Sequence, residues 1–129
     1  VIDPMAEDPV IGVYEATHGE GAHLTMDFSG ASAGRLASLD CARVWGRSVW
    51  VGERNETTID PSPQILHKQL TLHGSWVCSW PVMDALIQRL GRGEFAIEPA
   101  VTHRFALDQI DEAFRVADSG QSGKVVITG

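Results

Sequence analysis

The sequence predicts an α/β chain, a doubly wound parallel sheet followed by a carboxyl-terminal helix-and-strand tail. Three observations carry this expectation. Strand-like and helix-like segments alternate as far as about residue 79, the order that right-handed parallel crossovers require. The strand-like runs are largely apolar, as befits strands buried on both faces, so helices are expected on both sides of the sheet. Glycine and proline stand at most of the junctions, where they end one element and turn the chain into the next.

Taken in order, "VID" reads as the last residues of a strand, which Pro4 ends because proline has no N–H for the ladder. Asp8 is a candidate N-cap, Pro9 suits the first helical position, and Val10, Val13 and Tyr14 share one face. "HGEGAH" stops that helix. "LTMDFSG" is a short, mostly apolar strand closed by small residues. From Ser32 to about Arg43 the apolar spacing of Leu36, Leu39 and Ala42 predicts a second helix. "GRSVWVGE" is the next strand, "TTIDPSPQILHKQ" holds a short helical turn, and "LTLHGSW" supplies a further strand.

Beyond Ser79 the pattern changes. Pro81 opens a helix to about Leu90, "VTHRFAL" is a short strand, and Asp108 is positioned to cap a helix through Ala117. "DSGQSG" turns the chain into a closing strand, "KVVIT".

Composition bounds the function. At 129 residues, 43% hydrophobic and 21% charged, the chain suits a folded domain. A formal charge of -7 and a pI near 5.0 oppose phosphate backbones and anionic membrane surfaces, so neither nucleic acid nor membrane is expected as a partner. Cys41 and Cys78 lie far apart, which indicates neither a zinc knuckle nor a disulfide framework and makes a reducing cytoplasm the expected location. No apolar run reaches the roughly 20 residues that span a bilayer. Met5, Met26 and Met83 read as core or edge filler, Trp50 as core and Trp80 as a staple-like contact at a helix start.

In doubly wound sheets ligands lie beyond the carboxyl ends of the strands. Three strand ends qualify here: "DFSG" (Asp27 to Gly30), "VGE" (Val51 to Glu53) and "GSW" (Gly74 to Trp76). Each carries a glycine or serine, which serves either close backbone approach to a flat ligand or simply the turn of the chain.

"VIDP", "GAHLTMDFSG", "WGRSVWVGE", "SPQILHKQLTLHGSW", "VTHRFALDQIDEAFRV" and "SGKVVI" occur in this order, and the chain thereby resembles the zinc-dependent medium-chain alcohol dehydrogenases, most nearly their threonine and polyol dehydrogenase branch. The resemblance covers only the carboxyl-terminal portion of that pattern. It implies a partial Rossmann-type sheet, with residues 1–79 forming the later part of an NAD(P)-binding domain and 80–129 a tail that packs on the catalytic domain in relatives. It implies NAD or NADP and zinc as cofactors of the parent family, and cofactor contacts at Phe28, Ser29, Gly30, Val51, Gly52, Glu53, Ser75, Trp76 and Val77.

No catalytic residue and no metal ligand is assigned within this chain. His18, His23, His67, His73 and His103 show no H-x-x-H or H-E-x-x-H spacing. "GEG" (Gly19 to Gly21) precedes a strand, so it reads as a helix stop rather than a phosphate-binding turn, and Asp3 as a turn residue rather than a ribose acid. Lys124 falls where some relatives carry a phosphate-facing basic residue, but it reads more simply as an exposed lysine opening a strand. The expectation is therefore a part of an alcohol or polyol dehydrogenase, inactive alone, with an amino-terminal half elsewhere and a homo-oligomer formed by strand-edge pairing. The alternative is a stand-alone, non-catalytic module for oligomerisation or ligand binding.

Overall fold

The computed structural model describes residues 1–129. The chain divides into two compact units, Val1–Cys78 and Ser79–Gly129.

In the first unit, α1 (Pro9–Ala16) begins as its sequence suggests: Asp8 caps it, its carboxylate accepting from Val10 N at 2.8 Å. It ends at Thr17, and Gly19 and Gly21 take φ of 84° and 86° to turn the chain. Then follow β1 (Ala22–Asp27), α2 (Ser32–Asp40), β2 (Ala42–Trp50), a wide helical turn at Ser62–Leu66, and β3 (Thr71–Gly74). The three strands are adjacent and parallel in the order β1-β2-β3.

A small core of Leu39, Ala42 and Leu70 lies under this sheet, with Trp50, Ile59, Ile65 and Leu72 packed against it. Between α2 and the sheet the packing is polar. Thr25 Oγ1 donates to Ser38 O at 2.7 Å, and Trp50 Nε1 donates to Ser38 Oγ at 2.9 Å. Because Ser38 Oγ gives its one proton to Arg35 O at 2.7 Å, buried Ser48 must be the donor in the 3.0 Å Ser38–Ser48 bond. Lys68 Nζ closes the carboxyl end of α2, donating to Leu39 O and Asp40 O, and also to Ala42 O at the start of β2, at 2.6–2.9 Å.

Four expectations are corrected within these elements. Residues 1–3 form no strand. Asp3 instead opens a turn, its carbonyl accepting from Ala6 N and Glu7 N. The second strand begins at Ala42, so α2 ends three residues before Arg43. The cause is a kink, for Trp45 sits at φ 60° and donates its N–H to Lys68 O, which breaks the strand's alternation where sequence pattern is read. Helices cover one face of this sheet and not both. Thr25, Ser48 and Leu72 face α2, whereas Leu24 and Met26, on the other side of the pleat, are 49% and 48% exposed. Successive right-handed crossovers stepping one way along a sheet place their connections on the same side. Met26 is accordingly half exposed at the open strand edge, whereas Met5 is exposed and is neither core nor edge filler.

The second unit holds α3 (Trp80–Gly91), β4 (Val101–Ala106), α4 (Ile110–Asp118) and β5 (Lys124–Thr128), with β4 and β5 parallel. Trp80 is exposed rather than stapled. Asp108 caps nothing. It lies within a 3-10 turn, Leu107–Gln109, and Gln109 Oε1 accepts from Ala106 N at 3.1 Å in its place.

Candidate functional site

The register of the first sheet aligns the three strand ends. Asp27 pairs with Trp50, and Trp50 with Gly74, so Phe28–Gly30, Val51–Glu53 and Ser75–Val77 leave the sheet from one level, at its carboxyl end. Backbone bonds continue past the strands. Val51 N and Gly52 N both donate to Asp27 O, at 2.8 and 3.1 Å, and Ser75 N donates to Trp50 O at 2.9 Å.

Asp27 organises the first loop. Its carboxylate is 4% exposed as a residue and fully engaged: Oδ1 accepts from Ser29 N at 3.1 Å and Ser29 Oγ at 2.6 Å, and Oδ2 from Gly30 N at 3.0 Å. Burial pushes the carboxyl up, but the bonds from Ser29 and Gly30, aided by the Arg35 charge, outweigh it and hold Asp27 below the usual 3.8. The adjacent loop is held by Arg35 from α2. Nη2 donates to Gly52 O and Arg54 O at 2.8 Å each, and Nη1 donates to Asn55 O at 2.8 Å and Thr57 Oγ1 at 3.2 Å. The guanidinium lies 5.5 Å from the Trp50 ring centroid and its Nε 3.9 Å from Asp27 Oδ2, an ion pair too long to be a hydrogen bond. Asn55 Nδ2 then donates to Gly30 O at 3.1 Å, tying the second loop back to the first.

The two glycines of these loops serve each other. A Cβ on Gly30, at φ 66°, would collide with the Glu53 carbonyl, and one on Gly52 with the Gly30 backbone. Their small size is thus explained by loop-on-loop contact before any ligand is invoked. The third loop is different: Phe28 of the first loop and Trp76 and Val77 of the third are all largely exposed, and Trp76 and Val77 make no backbone bond. Leu70 and Leu72 serve the core below.

Among the nine residues predicted to contact a cofactor, Ser29, Gly30, Val51 and Gly52 belong to the hydrogen-bonded floor, while Phe28, Glu53, Ser75, Trp76 and Val77 are exposed around it. Arg35 and Asn55 were not singled out in the sequence. Nothing in the spacing of "AGRLA" or "RNETT" marks a clamp, whereas Asp27 two residues before Ser29 is a legible Asx turn.

No three histidine, cysteine, aspartate or glutamate side chains converge to hold a metal ion, so the residues present do not fit a zinc centre. Cys41 is no activated nucleophile either: burial, followed by the Asp40 charge, pushes its thiol up. No helix is long and apolar enough to cross a membrane.

The sequence profile of the zinc-binding dehydrogenases matches residues 1–92, most of the chain. The chain belongs to the zinc-binding dehydrogenase family. Among curated relatives, it is 39% identical over 115 residues to the uncharacterized zinc-type alcohol dehydrogenase-like protein YphC of Escherichia coli K12, covering 89% of this chain and 32% of that one. It is 34% identical over 133 aligned positions to the L-threonine 3-dehydrogenase of Thermococcus kodakarensis, covering 98% of this chain and 37% of the other. The chain therefore spans about a third of the length of the curated relatives it matches.

Solved structures give the same fold. Alcohol dehydrogenase TADH from Thermus sp. ATN1 superposes with a TM-score of 0.89 at 26% identity, over 98% of this chain and 37% of that one. A zinc-binding dehydrogenase from Sinorhizobium meliloti 1021, solved bound to NADP, superposes at 0.87 with 20% identity, over 99% and 38%. Zinc-binding dehydrogenases thus share this α/β architecture.

Proposed function

We propose that the chain supplies the carboxyl-terminal share of an NAD(P)-linked alcohol or polyol dehydrogenase, and that alone it neither binds the dinucleotide tightly nor oxidises alcohols. The observation that carries this reading is the common level of the three strand ends, with a rigid floor at Ser29–Gly30 and Val51–Gly52 and an open rim at Ser75–Val77. Backbone there suits the flat nicotinamide side of a cofactor, with Phe28 to Gly30 beside its adenosine part. Dinucleotide affinity also draws on pyrophosphate contacts at a glycine-rich turn and on a ribose-binding acid, and these residues contain no such turn. Zinc supplies a Lewis acid for the alcohol oxygen in enzymes that hold it, and no side-chain set here fits that ion.

On the same reading, residues 1–79 belong to the cofactor domain and 80–129 to the tail against the catalytic domain. The open edge of β1, where Leu24 and Met26 are half exposed beside a groove of about 330 Å³ bordered by Val13, Ala37 and Cys41, is where strand pairing with another chain would occur. That edge also favours a second reading, a non-catalytic module whose function is association. Calorimetry with NAD and NADP, and absorbance assays on threonine, sorbitol and secondary alcohols with added zinc, test the proposal. The expected result is no micromolar binding and no turnover. Either one, surviving repurification, overturns it.

A further inference from the structure

We infer that Arg35 is a positioning residue for the ligand face of the loop after β2, a role that rests on the cofactor reading above but is built from this chain's own geometry. The side chain is 12% exposed, and its two terminal nitrogens take four acceptors, all of them on residues 52–57. Three of the four are backbone carbonyls, those of Gly52, Arg54 and Asn55. Every peptide bond here is trans, so each carbonyl that points to Arg35 turns the following N–H the opposite way. The amides of Glu53, Asn55 and Glu56 therefore face away from the guanidinium, and none of the three donates a hydrogen bond inside the chain.

The loop does not adopt this shape by preference. Arg54 and Asn55 stand consecutively at positive φ, 70° and 57°, a region that asparagine tolerates but arginine disfavours. Arg35 bonds the carbonyl of each, so the pair is held where it would otherwise relax. A lysine would keep the charge but not the planar fork that reaches four acceptors at once. Trp50 beneath the guanidinium and Asp27 beside it fix the fork's orientation. The consequence is a row of three free donors beside Val51–Gly52, suited to the acceptor oxygens of a nicotinamide nucleotide, its carboxamide and ribose hydroxyls.

The test is residue-resolved amide spectroscopy of the full 129-residue chain, as wild type, Arg35→Lys and Arg35→Met, with nicotinamide mononucleotide titrated to millimolar concentration. Thr57→Val, which removes a single acceptor, serves where the methionine variant fails to fold. The wild type is expected to show shifts at Glu53, Asn55 and Glu56, and both Arg35 variants to lose them. Hydrogen exchange at Gly52 is expected to rise at least about tenfold in the variants while Val49 in β2 stays unchanged, a pattern that uniform destabilisation would not give. Loop amides that exchange and resonate as in the wild type overturn the inference, as do ligand shifts equal in all proteins. If the loop loosens in the variants but the mononucleotide shifts nothing in the wild type, the cofactor reading falls and the loop-positioning role of Arg35 stands.

Discussion

The loops after β1 and β2 and the loop after β3 leave the same end of one sheet, yet they are built in opposite ways. The first two are cross-linked by Asp27, Arg35 and Asn55 and packed glycine against glycine. The third has one tether, Ser75 N to Trp50 O, after which Trp76 and Val77 stand 75% and 73% exposed. Proteins place binding groups on loops but hold them with a scaffold, and here the scaffold reaches two loops of three. The difference assigns them different duties. Two present fixed backbone, and the third is free to adapt to whatever covers it.

The largest effect should come from filling the glycine contact. Gly52→Ala forces the two loops apart, because the new Cβ meets Gly30 backbone and no flexible side chain. A loss of about 3 kcal/mol or more is expected in urea denaturation. Asp27→Asn should cost less, on the order of 2 kcal/mol at neutral pH, since it keeps the shape but has one acceptor oxygen where the carboxylate uses two, so it cannot accept from both Ser29 and Gly30.

Its pH dependence has a definite sign. The folded-state carboxyl of Asp27 is depressed below 3.8, so its stabilisation is complete above that value and is lost as pH falls toward the depressed folded-state value. Wild type should therefore lose more stability than Asp27→Asn in the acid range below about pH 4, and the two should run parallel from pH 5 to 8. Parallel curves throughout would show that the carboxylate is not the organising group. The smallest effect is expected at Trp76→Ala: a change within about 0.5 kcal/mol, because the ring is mostly in solvent.

Much of this arrangement was legible in the sequence. The parallel pairing of β1, β2 and β3 followed from the alternation of elements, and α1 from Asp8 and Pro9. What stayed hidden depended on long-range contacts. The early start of β2 was concealed by a left-handed Trp45 that a neighbouring carbonyl holds in place. The strand expected at "VID" needs a partner to be a strand at all, and Asp3 turns the chain instead. Arg35 looked like any polar residue on a helix, because its four acceptors lie 17 to 22 residues further along the chain. The glycines were legible as special positions, but their reason, contact with each other, was not.

Hydrogen exchange of the wild-type chain, read residue by residue, tests the contrast between the loops most directly. The amides of Gly30 and Gly52, bonded to the carboxylate and the carbonyl of Asp27, should be protected to nearly the level of β1 and β2, while those of Trp76, Val77 and Cys78 exchange close to the unfolded rate. Equal protection across all three loops, or rapid exchange at Gly30 and Gly52, would contradict a fixed floor with an open rim.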